Sequence, residues 1–164
     1  METGWTATRH VPDNLKLDAH RGDPFAAAVQ ATRMPMIITD PRQHDNPIVF
    51  VNDAFLKLTG YTRLDVSGRN CRFLQGPETD PAAIDRLRAS IRREEDIRID
   101  LLNYRKDGST FHNALYVGPV RDATGKVVYF FASQLDVSGH YALTAEIERL
   151  KGELAEARAE RAGP

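Results

Sequence analysis

Apolar and polar residues alternate along the second half of the chain, and this period of two predicts β-strands. Two shorter apolar runs lie in the first half, on either side of a segment rich in aspartate, asparagine and proline. The five predicted strands are 36–39, 48–51, 97–104, 110–117 and 127–135. Turn-forming residues such as Asp107-Gly108 separate the last three, which are therefore expected to pair as antiparallel neighbours.

A different spacing, with apolar residues three and four apart, predicts helices. A capping aspartate stands before a proline at 23–24 and again at 80–81. The first signal begins a short helix that ends near Arg33, and the second begins a longer helix that continues through Ile91. The tail is predicted to be helical again from Tyr141 onward.

The region 52–78 changes its period several times, which predicts brief helical turns and loops where a ligand pocket could lie. The order of elements predicts an α+β fold, with a five-stranded antiparallel sheet, helices over one face and flanking helices at both ends. We divide the chain into an N-terminal leader and cap helix at 1–33, a core at 34–137 and a C-terminal amphipathic or coiled-coil helix at 138–164.

Three carboxamide side chains lie on apolar faces of the predicted strands. Asn103, Asn113 and Gln134 each share a face with apolar residues two positions away. A buried amide without a partner costs on the order of 1–3 kcal/mol, so three together suggest a common partner such as a planar heterocycle. Hydrogen bonds to one another, to water or to the backbone are the alternative.

Two arginines and one cysteine add candidate chemistry. Arg88 lies beside the apolar face of the second helix, and Arg72 could converge with it on an anion. Each arginine could instead be a surface residue whose stem lies along a helix. Cys71 is the only cysteine, so it is either a small buried hydrophobic residue or a reactive thiol. Arginines around a phosphate and amides around a ring would together form a binding site for a mononucleotide.

The composition narrows the class of protein. The chain has 164 residues, 41% of them hydrophobic, and a formal net charge of -1, which disfavours direct binding to nucleic acid or anionic lipid. Its longest apolar runs are strand-sized, so no membrane span is expected, and the first residues lack the apolar stretch of a secretory signal. We therefore expect a cytoplasmic protein of one domain.

The segment 68–76, GRNCRFLQG, resembles the signature of the light-oxygen-voltage (LOV) domains, the flavin-binding photosensory branch of the PAS fold. The similarity extends through 53–55 and 58–61 upstream and through 77–80 downstream, and it covers roughly 34–137. It implies a blue-light photosensor, not an enzyme. The implied cofactor is flavin mononucleotide (FMN) in preference to FAD or riboflavin, because relatives that bind the dinucleotide tend to carry an insertion before the second helix.

The resemblance also implies a role for individual residues. Cys71 would face the reactive edge of the flavin, bond to carbon C4a on illumination and be released in the dark. The implied polar ligands are Asn70 and Gln75 for the ribityl chain, Arg72 and Arg88 for the phosphate, and Asn103, Asn113 and Gln134 for the ring. The other implied pocket residues are Ile37, Thr39, Asn46, Leu74, Ile84, Leu87, Ile91, Leu115, Val117, Phe130 and Ala132. No metal ligands are expected.

Excited flavin chemistry would drive the reaction, so we expect Cys71 to be a neutral thiol in the dark. Gln134 would then rotate when flavin N5 becomes protonated, and would relay the signal to the tail. Leu115 and Ala132 stand where many relatives carry Phe and Gly, which puts the lifetime of the bond in doubt.

The tail carries a heptad seam, with residues spaced four and three apart, at Leu143, Ile147, Leu150, Leu154 and Ala157. The outward strand faces are also apolar, at Leu102, Tyr104, Tyr116, Tyr129, Phe131 and Leu135. We expect a homodimer through the sheet face and flanking helices, although the tail or the N-terminal helix could cover the sheet instead. Any effector, such as a histidine kinase, would lie outside this chain.

Two other functions compete with the photosensor. A flavin oxidoreductase would use Cys71 as a redox thiol, but the sequence has no second cysteine and no evident nicotinamide motif. A light-insensitive PAS module would bind another small molecule and keep Cys71 as a structural residue.

Overall fold

A computed structural model describes residues 24–161. The helices are α1 (Pro24–Ala31), α2 (Asp53–Thr59), α3 (Arg63–Val66), α4 (Pro81–Arg92) and α5 (Ser138–Arg161), with a 3₁₀ turn at Cys71–Leu74. The strands are β1 (Met36–Thr39), β2 (Ile48–Val51), β3 (Ile97–Tyr104), β4 (Thr110–Arg121) and β5 (Val127–Asp136). They form one antiparallel sheet in the order β2-β1-β5-β4-β3. The predicted fold class is confirmed.

The structure differs from the sequence prediction mainly in the length of β4. This strand continues to Arg121, although Gly118 and Pro119 are poor strand residues. Pairing with β5 overrides that local preference, and a side chain at position 118 would meet the ring of Tyr116. The capping signal at Asp23 lies outside the described residues.

A register shift on the β4–β5 pair changes one predicted face. Val120 lies opposite Tyr129 but Arg121 lies opposite Val127, so β5 has one extra residue there. As a result Val127, and not Val128 as the alternation predicts, belongs to the buried core.

The core lies between one face of the sheet and the helices. Its rows follow the strand register, in which residues directly opposite each other share a face. Ala132 lies opposite both Ile37 and Val117, for example, and Val117 lies opposite Ile97. The buried core cluster comprises Ile37, Ile48, Val51, Phe55, Val66, Leu74, Ala83, Leu87, Ile99, Leu101, Val117, Val127, Phe130 and Ala132.

The beginning of α5 packs on the other face of the sheet. There the ring of Tyr141 stacks on His112 with centroids 3.9 Å apart, and its hydroxyl donates to Asp100 at 2.8 Å. Beyond this contact the four large residues of the heptad seam are 43–60% exposed. The tail therefore does not cover the sheet of its own chain.

The residues predicted to face outward on this side of the sheet differ in burial. Leu135 is 55% exposed, whereas Tyr129 is only 4% exposed and lies under the guanidinium of Arg42. Tyr129 is therefore covered within its own chain, whereas the sequence analysis expected the tail, the N-terminal helix or a second subunit to cover this face. Arg42, which covers the ring, belongs to the β1–β2 loop, and the alternation of strand residues does not predict where that loop lies. None of the helices within residues 24–161 is long and apolar enough to cross a membrane.

Asn52 joins three elements at the entrance to α2. Its fully buried side-chain oxygen accepts from Met36 N at 2.9 Å and from Phe55 N at 3.1 Å. Its amide nitrogen donates to the backbone oxygens of Val29 at 3.2 Å and Met34 at 2.8 Å. One side chain thus caps α2 and connects it to β1 and α1.

We expect Asn52→Ala to lower the free energy of unfolding by about 2–4 kcal/mol, because it leaves several buried backbone groups without partners. Urea unfolding of variant and wild-type protein prepared in the same way measures this loss. Asp53→Asn, at the exposed neighbouring position, should change the value by less than about 0.5 kcal/mol. An equal effect of the two substitutions would contradict the role given to Asn52.

Candidate functional site

The only cysteine of the chain begins the 3₁₀ turn Cys71–Leu74. The side-chain oxygen of Asn70 caps this turn by accepting from Arg72 N at 3.0 Å. Leu74, at the end of the turn, is buried in the core, and Cys71 is half-buried and packs against the same core. The turn therefore holds the thiol beside the helical side of the sheet.

The electrostatics of this turn favour a neutral thiol. Burial raises the pKa of Cys71 above its ordinary value of about 9. The positive charge of Arg72 acts in the opposite direction, but its guanidinium forks onto the carboxylate of Asp45 at 2.6 and 2.7 Å. This agrees with the expectation that Cys71 is not an activated thiolate.

The three predicted amides are all buried on the core side of the sheet, with exposures of 1–3%. Asn113 Nδ2 donates to Asn103 Oδ1 at 2.8 Å, so these two residues do bond to each other. That bond leaves other polar atoms of the three amides without a hydrogen bond. Among residues 24–161, Asn113 Oδ1 and Gln134 Oε1 have no hydrogen-bond partner.

Asn46 adds a third such oxygen from the β1–β2 loop. Its Oδ1 is buried and has no partner within the described residues, and its backbone is left-handed with φ of 47°. Native proteins leave few buried polar atoms unpaired, so three in one predicted ligand set are informative. A ring ligand that offers both hydrogen-bond donors and acceptors on its edge would pair with amides of this kind. A fourth, Gln30 Oε1, belongs to α1 and not to the predicted set.

The two predicted phosphate ligands have different partners in the structure. Arg72 is engaged by Asp45, whereas Arg88 lies 3.6 Å from Asp85 on α4 and is 56% exposed. A guanidinium has five N–H donors, so the fork onto Asp45 leaves Arg72 with donors for an anion. The role of both arginines stays a prediction.

The remaining predicted residues fall into three groups. Those in the core cluster are Ile37, Leu74, Leu87, Val117, Phe130 and Ala132, and those packed against it are Ile91 and Leu115. Thr39 is buried opposite Phe130 on β5, while Ile84 and Gln75 are half-buried. Most of the set thus lies in or against one hydrophobic cluster, and the contacts of these residues with a ligand stay predicted.

Asp45 is the residue of this site that sequence reasoning missed. It lies in the β1–β2 loop, receives the Arg72 fork and has a left-handed backbone with φ of 67°. An Asp-Asn pair between two strands is a signal for such a turn, because these residues tolerate the left-handed region.

A surface groove of about 400 Å³ lies beside Asp45 and the 3₁₀ turn. It is lined by His44, Asp45, Gly68, Arg69, Asn70, Arg72 and Phe73.

Known proteins are similar to this chain over the same region. The family model described as PAS domain matches residues 33–139. A blue-light-activated histidine kinase of Brucella canis is 52% identical over 127 residues, which cover 77% of this chain and 26% of that relative. The chain thus spans about a quarter of the length of the curated relatives it matches.

Solved structures of blue-light photoreceptors are also similar to this chain. The light-state structure of the blue-light photoreceptor Aureochrome1 LOV has 46% identity and a TM-score of 0.65, over 74% of this chain and 95% of that chain. The LOV domain of a blue-light activated histidine kinase from Erythrobacter litoralis also has 46% identity, with a TM-score of 0.62, over 64% and 96%. Fold and matches together define a sensory domain of the PAS type. The chain belongs to the LOV family of blue-light photoreceptors within the PAS superfamily, which confirms the resemblance found in the sequence.

The raised pKa of Cys71 predicts how this thiol reacts with an alkylating reagent in the dark. Because the thiolate is the reactive form, the rate should keep rising through pH 9 and reach half its plateau only above that value. The same protein in concentrated urea should reach half-plateau at a lower pH, since burial is lost. A folded protein whose rate is already at its plateau at pH 7 would contradict the neutral thiol.

Proposed function

We propose that this chain is a blue-light photosensor that binds FMN and uses Cys71 as its photoreactive thiol. The observation that carries the proposal is the packing of Cys71 against the core that also contains buried amide oxygens without partners among residues 24–161. Burial raises the pKa of this thiol, which agrees with the proposal. When bound, FMN would supply a blue-absorbing ring. On illumination the Cys71 sulfur would bond to C4a while the thiol proton moved to N5, and in darkness both would return to the cysteine.

Different residues of the site would bind different parts of FMN. Asn103, Asn113 and Gln134 would orient the ring, because their side chains are buried on one face of three neighbouring strands. Asn70 and Gln75, at the two ends of the 3₁₀ turn, would bind the ribityl chain, which also ties ligand binding to the position of the thiol. Apolar residues of the core would exclude water from the reacting atoms.

The phosphate distinguishes FMN from the other flavins. Arg72 and Arg88 would bind it, which favours FMN over riboflavin because riboflavin has no anion to fork onto. The short connection of Gly76 to Asp80 between the turn and α4 favours FMN over FAD.

Purified protein should be yellow, lose its blue absorbance under blue light and recover it in darkness. Cys71→Ala should keep the colour and lose the bleaching, because the chain has no other cysteine. Absorbance spectra recorded in the dark, after illumination and during recovery provide the test. Bleaching that requires an added reductant would instead support a flavin oxidoreductase, and a colourless protein would support a PAS module for another ligand.

The output route that we propose begins at Gln134. Its side chain is buried, and its backbone N–H donates to Pro35 O at 2.9 Å. Two residues later Asp136 accepts from Arg105 at 2.6 Å and from the backbone N–H of Ser138, the first residue of α5, at 2.9 Å. A rotation of the Gln134 amide would therefore act on a strand that leads directly into the base of α5.

Gln134→Leu should leave flavin binding and bleaching in place but weaken the response of α5, because leucine cannot exchange a donor for an acceptor. Hydrogen exchange of α5 in the dark and in the light measures that response. Ser133→Ala, at the neighbouring half-buried position, is the matched control and should respond like the wild type. A normal light response of α5 in the leucine variant would place the route elsewhere.

The exposed seam of α5 supports a homodimer. Leu143, Ile147, Leu150 and Leu154 are 60%, 43%, 49% and 51% exposed, and their spacing suits a helix of a second subunit. The sheet surface around Leu135 would extend that interface. The match to part of a histidine kinase supports an effector outside this chain that would read the geometry of the two α5 helices. The chain itself is proposed to be a cytoplasmic sensor module without catalytic activity.

A further inference from the structure

Both sequence neighbours of Cys71 bond to a single residue of the β1–β2 loop. Asn70 Nδ2 donates to the backbone oxygen of Asp45 at 2.7 Å. Arg72 Nη1 and Nη2 donate to the two carboxylate oxygens of Asp45 at 2.6 and 2.7 Å. Asp45 therefore fixes the chain on each side of the thiol, through its backbone on one side and its charge on the other.

The loop that presents Asp45 has its own anchor. Asp40, only 4% exposed, accepts from the backbone N–H and the guanidinium of Arg42 and from the amide of Gln43. The backbone of the loop closes with Asp40 N donating to Pro47 O at 3.0 Å. Asp45 thus projects from a loop that its own hydrogen bonds hold in place. Its contacts can therefore restrain the 3₁₀ turn.

The charge of Asp45 is placed to act on the same atoms. Arg72 directly follows Cys71, and its positive charge lowers the pKa of the thiol, whereas the carboxylate of Asp45 raises it. The fork between the two side chains offsets these influences beside the sulfur. The aspartate thereby gives Arg72 a fixed direction and a local counter-charge.

We propose that Asp45 is a positioning residue for the photochemical step, holding Cys71 at the reacting ring through Asn70 and Arg72. The inference rests on the proposed function, and it adds to the site a second residue of the β1–β2 loop, directly before Asn46. The yield of a reaction between two held groups depends steeply on their alignment, and a displacement of about 1 Å can cost 10²-fold. Loosening one side of the turn should therefore lower the yield without removing the cofactor.

The test is Asp45→Asn in the full FMN-loaded chain. Asparagine tolerates the left-handed backbone and keeps the carbonyl that Asn70 uses, but it removes the charged fork. The quantum yield of bleaching per photon absorbed by bound flavin should fall about three- to tenfold, and the flavin triplet lifetime should lengthen correspondingly. Asp45→Glu should restore most of the yield, because it returns a carboxylate to Arg72.

Glu95→Gln is the matched control, since it removes an exposed ion pair with Arg93 away from the turn and should leave the yield unchanged. An unchanged yield in Asp45→Asn would overturn the inference, even if flavin affinity or thermal stability fell. If the wild-type protein did not bleach, the proposed function would fail instead, and the two failures are therefore distinguishable.

Discussion

The constraint on which the structure depends is the cost of burying amide groups in an apolar sheet face. Asn113 and Gln134 bring carbonyl oxygens into the core where neither has a partner in the described chain, and each would cost about 1–3 kcal/mol if left so. The sheet can accept this cost only if something else satisfies it. The strand register sets where that partner must lie, because it places these amides on the face that α4 and the 3₁₀ turn cover.

The thiol is held against the same face by a second set of constraints. Leu74 anchors the turn in the core, Asn70 caps it, and Asp45 bonds to the residues on either side of Cys71. Burial keeps the thiol neutral, which suits a reaction driven by an excited ring and not by a strong nucleophile. The same sheet continues into α5 through Asp136, so the strand that carries Gln134 leads directly into this helix.

Much of this could be predicted from sequence, because the signals are local. Short apolar runs located β1 and β2, and alternation located β3 to β5 and the inward direction of Asn103, Asn113 and Gln134. The capping acid and proline located α4. The features that escaped are contacts between distant parts of the chain. The Arg72–Asp45 fork joins residues 27 positions apart, the cover of Tyr129 by Arg42 comes from another loop, and the extra residue in β5 depends on its pairing with β4. No local pattern records such contacts.

Cys71 is proposed to be a protonated thiol in the dark that reacts with a bound flavin in the light. Infrared difference spectroscopy of the FMN-loaded chain reports directly on its S–H stretching band, since the sequence has no other cysteine. We expect this band to be present in the dark, to disappear under blue light and to return in darkness together with the yellow colour. A band that is missing in the dark, or that illumination leaves unchanged while the flavin bleaches, would contradict it.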